Sequence, residues 1–181
     1  LTKAVAPSGN SVITLHEDIN YDGTIVFPYS CTLDFNGHTV VTKQTSGNGI
    51  QISAAGSQNK VTTVKNGTLL HFEIGLRIDG GGIIVENMTI RPKSGAPLGM
   101  YETSADYKDI NRVSNSTLSS GLYGAIVFNK KNADFSETGI RVERSVLISE
   151  KAGGSSTINK QSGTTAGAIT FGTNVELYTY G

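Results

Sequence analysis

Val64-Lys65-Asn66-Gly67-Thr68-Leu69 and Val85-Glu86-Asn87-Met88-Thr89-Ile90 share one pattern: an apolar residue, a spacer, Asn, two residues, then an aliphatic. The pattern returns as Val113-Ser114-Asn115-Ser116-Thr117-Leu118. It returns again as Val142-Glu143-Arg144-Ser145-Val146-Leu147, with Arg in place of Asn, and more loosely upstream as Phe35-Asn36-Gly37-His38-Thr39-Val40. The intervals from position 36 to 66, 87, 115 and 144 are 30, 21, 28 and 29 residues. A recurrence of this length marks a repeat architecture.

A second series interleaves with the first: Gly49-Ile50-Gln51-Ile52, Gly75-Leu76-Arg77-Ile78, Gly99-Met100-Tyr101, Gly124-Ala125-Ile126-Val127-Phe128 and Gly167-Ala168-Ile169-Thr170-Phe171. Each copy is short, starts at glycine and alternates with period two. Two series of short strands with no helical segment between them do not fit βαβ units. They fit a coil whose every turn gives one strand to each of several parallel sheets, so that stacking builds a core no single turn could bury.

Composition agrees. Gly (22), Thr (20), Ser (18) and Asn (13) are abundant, Ile plus Val (29) exceed Leu (11), and Trp is absent. That balance excludes a helical bundle. With 15 cationic and 15 anionic side chains the net charge is zero, which argues against nucleic acid or a membrane surface as partner. No apolar run approaches the roughly 18 residues of a membrane span. A single cysteine, Cys31, excludes an internal disulfide framework and reads as a small buried hydrophobe. One domain over 1–181 is expected, with 1–10 as an N-terminal cap and 151–167 as a long loop. The opening Leu1 is read as the start of a piece of a larger protein.

The Asn column is read as an internal ladder: Asn tolerates a left-handed bend, and its amide can bond the amides above and below. The ladder would turn Asn66, Asn87 and Asn115 inward, so their three Asn-X-Thr acceptor motifs should escape N-glycosylation. Thr68, Thr89 and Thr117 fall outside as a column flanked by His38 and Val146, too short for an ice-binding array.

The segment Thr32-Leu33-Asp34-Phe35-Asn36-Gly37-His38-Thr39-Val40, with the Gly-aliphatic and Asn rungs that follow it, resembles right-handed parallel β-helix proteins of the pectin-lyase-like superfamily. The resemblance covers roughly residues 11–180 and implies an all-β, single-stranded parallel β-helix of about six turns. In its lyase and polygalacturonase members, activity needs clustered acids, with calcium and a basic proton abstractor or with an adjacent aspartate pair. The seven Asp here include no such pair.

If Ile50, Ile52, Leu76, Ile78, Met100, Ile126 and Phe128 point inward, then Gln51, Arg77, Asp79, Tyr101, Val127 and Asn129 point outward. Successive turns lie ~4.8 Å apart. Gln51, Arg77, Asp79, Tyr101 and Asn129 would thus share a face walled by Glu102 and Asp106. Planar donors, a carboxylate and an aromatic ring suit sugar hydroxyls and C–H faces. A solvated face with an ordinary Arg77–Asp79 ion pair is the competing reading. Asp79 with Glu102 or Asp106 could serve as an acid/base pair if the chain is an enzyme. His16, His38 and His71 have no metal-ligand spacing, and Gly80-Gly81-Gly82 reads as a tight turn. No metal or cofactor is expected.

Three functions stay open. The first is a non-catalytic, glycan-facing adhesion module of an extracellular bacterial surface protein or phage tail spike. The second is a polysaccharide lyase or glycoside hydrolase acting on an acidic polysaccharide. The third is a structural stalk assembled as a homotrimer.

Overall fold

The structure, a computed structural model, describes residues 11–42, 47–53, 61–70, 73–102, 107–128, 138–150, 158–160, 165 and 167–180, with the backbone alone at 42, 102, 159 and 160. The expected cap at 1–10 lies outside them. Among the described residues the secondary structure is nearly all strand, in two parallel sheets of twelve and six strands.

The strands fall into three columns. One runs through Val12–Thr14, Thr32–Asp34, Val61–Leu70, Gly82–Arg91, Arg112–Ser114, Gly139–Glu143 and Ala168–Phe171. A second runs through Ile19–Tyr21, Thr39–Thr42, the same two ten-residue strands, Thr117–Ser120, Val146–Ser149 and Glu176–Thr179. Because Val61–Leu70 and Gly82–Arg91 pass unbroken through the bend, both columns belong to one sheet. The six-stranded sheet holds Ile25–Phe27, Asn48–Ile52, Ile74–Asp79, Ala96–Glu102, Ile126–Phe128 and Ile158–Lys160. Ile158–Lys160 sits inside the stretch expected as a loop. Its Ile158 extends the apolar row of Ile126, a lone aliphatic that gives a Gly/Ser/Thr-rich stretch too little periodicity to show.

Neighbouring strands are one sequence repeat apart, and register aligns identical roles. Leu33, Val64, Val85, Val113 and Val142 form one interior row. Val40, Leu69, Ile90, Leu118 and Leu147 form another. Ile50, Leu76, Leu98 and Ile126 face them from the second sheet. All of these are buried, and each is worth roughly 1.5–3 kcal/mol of transfer from water.

The bend between the first two columns is left-handed in six successive repeats, at Asn36, Asn66, Asn87, Asn115, Arg144 and Asn174, with φ between 44° and 61°, though not in the first turn between Thr14 and Ile19. The recurrent Asn is thus a backbone requirement. Its amide, however, faces solvent rather than the interior: Asn87 and Asn115 are exposed. The column does link up, with Asn87 Nδ2 donating to Asn66 Oδ1 (3.1 Å), Asn66 Nδ2 to Asp34 Oδ1 (3.0 Å) and Arg144 Nε to Asn115 Oδ1 (2.8 Å). The expected inward ladder is therefore corrected, and burial does not shield the acceptor motifs at Asn87 and Asn115.

Inside the bend the polar column is serine. Buried Ser116 accepts from Met88 N (3.1 Å) and donates to Ser114 O (2.7 Å), and its own N–H donates to Ser145 Oγ (3.1 Å). The interior amide is Asn111, fully buried between Ile83 N and Gly139 O. The outer threonine row contains four residues, Thr39, Thr68, Thr89 and Thr117, followed by Val146 and Glu176. Thr39, not His38, stands at its head.

Candidate functional site

The six-stranded sheet brings the expected strip together across three strands. Gln51 and Arg77 are register partners, and Asp79 follows Arg77 two residues along the same strand, so both point to one face. Asp79 accepts from Gln51 Nε2 at 2.7 Å and from Arg77 Nε at 2.9 Å. Gln51 Oε1 accepts in turn from Asn48 Nδ2 at 3.3 Å. The Arg77 guanidinium carbon lies 3.9 Å from the centroid of the Tyr101 ring, a cation–π stack worth about 0.5–2 kcal/mol.

The whole network is part-buried, with the Arg77 side chain 31% and that of Asp79 17% exposed. Burial strengthens each charge-assisted bond relative to a fully solvated pair. Asp79 thereby acts as the anchor that orients a guanidinium and an amide. Its two oxygens are engaged, a poor starting point for proton transfer.

Tyr101 does not occupy the row of Gln51 and Arg77. That place belongs to Gly99, and the register slips between Met100 and Glu102, which pairs with Asp79. The missing side chain at Gly99 is what lets the ring settle. A Cβ there would stand 3.0 Å from Tyr101 Cε2 and 3.1 Å from Ile74 Cγ2. Val127, expected at the surface, is buried with Ile74 and Ala96 in a small apolar cluster. Asn129 and Asp106 lie outside the described residues, as does the Glu102 side chain, so the expected wall is outside them too.

Asn48 and Gly99 are the parts of the site that sequence reasoning missed. Gly99 had a signal, since it heads a Gly-aliphatic copy. Asn48 had only its polarity next to Gly49. The turn Gly80-Gly81 takes φ of 90° and 80°, as its reading requires, and hands the chain from the strip to Gly82–Arg91.

Of the histidines, His16 is exposed and His38 lies 3.2 Å from Asp18 through Nδ1, while His71 lies outside the described residues. Among the described residues no three His, Cys, Asp or Glu side chains converge as a metal-ligand set. Compared with protein-family models, curated proteins and solved structures, the chain has no match.

Proposed function

We propose that the chain is a non-catalytic glycan-binding module of an extracellular surface protein or phage tail spike. Its repeats would wind as a right-handed parallel β-helix of about six turns, like those of the pectin-lyase-like superfamily. Parallel crossovers in one sheet are overwhelmingly right-handed, and the repeat-by-repeat register supports the coil. Fold alone says nothing of ligand, so the strip carries the reading.

The single observation behind it is the interlocked set Gln51–Asp79–Arg77–Tyr101. Here one carboxylate fixes a guanidinium, which in turn fixes an aromatic ring. Such groups are already ordered before a ligand arrives, which lowers the entropic cost of holding a sugar. Amide and guanidinium N–H groups suit hydroxyl acceptors, and an aromatic face suits sugar C–H groups.

Screening against a panel of polysaccharides tests the proposal. The expected result is binding that Arg77→Ala and Tyr101→Ala each weaken at least tenfold, with no cleavage products. Polysaccharide cleavage that stops in Asp79→Asn would establish an enzyme instead. Binding undiminished in both alanine variants would remove the strip as the site.

A further inference from the structure

The twelve-stranded sheet carries a second polar cluster that the strip does not use. Arg112 and Arg141 are register partners on adjacent strands, both exposed. Arg141 Nε donates to Glu143 Oε1, and Arg144 Nη1 lies 3.4 Å from Glu143 Oε2. The hydrogen bond from Arg141 holds the Glu143 carboxyl below its usual range against slight desolvation, and the charges of Arg141, Arg144 and Arg112 add to it. Three guanidiniums therefore surround one carboxylate.

Arg141 also lines a cleft of about 600 Å³ with Lys108, Asp109, Thr138 and Thr170. Asp109 offsets Lys108, which leaves Arg141 as the surplus positive charge among the described residues that line the cleft.

We infer that this cleft is a second ligand site, selective for a sulfate or phosphate ester carried on a sugar polymer. Arg141 lines the cleft, its register partner Arg112 stands one strand away in the same row, and Arg144 reaches the shared Glu143 from the left-handed bend. Guanidinium donors thus stand at and beside the cleft on different elements. A tetrahedral oxyanion offers oxygens out of one plane and can meet several such forks, whereas a planar carboxylate is satisfied by one. Exposed Thr170 adds a hydroxyl at the cleft wall, and the cleft's volume suits a ligand of sugar-unit size. The surplus charge also draws an anion in from solution, an effect that salt screens.

Calorimetric titration of the whole chain with dextran sulfate, phosphorylated dextran, polygalacturonate and plain dextran tests the inference. Dextran sulfate, phosphorylated dextran or both should bind, with affinity falling as salt is raised from 50 to 200 mM, and the two arms identify the ester. Arg112→Gln/Arg141→Gln should weaken that binding at least tenfold. Both side chains are exposed, and unchanged circular dichroism would confirm the fold. Arg77→Ala/Tyr101→Ala should bind the charged polymer as the wild type does, which separates this site from the strip. Retained affinity in Arg112→Gln/Arg141→Gln would overturn the site. Equal affinity for polygalacturonate would overturn the selectivity, and binding lost with the strip would overturn the separate site.

Discussion

At Asn87 the backbone sits at φ 53°, a conformation that costs most L-residues roughly 1–2 kcal/mol and that glycine and asparagine adopt readily. Its side chain is exposed, so the backbone and not the amide sets its worth. Asn87→Ala should destabilise by about 1 kcal/mol in urea unfolding, and Asn87→Gly by less. Equal losses for Gly and Ala, which both lack the carboxamide, would mean that the amide ladder dominates. The spacing of these residues was legible because the same left-handed bend recurs in six successive repeats. The direction of the amide was not, since a need for positive φ does not say which way the side chain points. Arg144 makes the point, holding the same bend at φ 44° with no carboxamide. Cys31 behaves as its sequence suggests, for burial pushes its thiol up to about 11. It should resist dithionitrobenzoate at pH 8 in the native state and react fully in urea. Rapid native reaction would contradict the burial.

Within elements, the serine column carries what the asparagines were expected to carry. Ser116→Val would leave the Met88 N–H without its acceptor in a dry interior. The variant should lose about 1–3 kcal/mol, more than Asn87→Ala. An unfolding midpoint shifted less than that of Asn87→Ala would show the order reversed. In the six-stranded sheet Gly99→Val should displace the Tyr101 ring and undo its stack on Arg77 while keeping the fold. The near-ultraviolet tyrosine signal would change; an unchanged spectrum would mean that the ring does not depend on Gly99. The expected strip was legible as far as period-two alternation holds. It fails at Tyr101, where the slip between Met100 and Glu102 shifts side chains off the simple alternation. Val127 fails for another reason: its outer face is covered, and alternation in a strand cannot report what lies over it.

For the whole molecule, charge is balanced in number but not in place. Asp18 is held below its ordinary range, first by the Thr39 N–H and then by His38, and Glu143 is held low by Arg141. Groups whose folded pKa is depressed stabilise the fold above their unfolded values, and that contribution disappears as pH falls through the folded ones. The urea midpoint should therefore hold steady from neutrality to about pH 5 and fall below about pH 4. A midpoint that rises on acidification would contradict these pairings. The central claim concerns the strip, and a double-mutant cycle on polysaccharide binding tests it most directly. Because Asp79 orients Arg77 and Arg77 stacks on Tyr101, the two residues should act as a unit. Measured by calorimetry, Arg77→Ala and Tyr101→Ala should each cost at least tenfold in affinity, and the double variant should lose little more than the worse single one. Wild-type affinity in the double variant, or losses that simply add, would contradict a preorganised glycan site on this face.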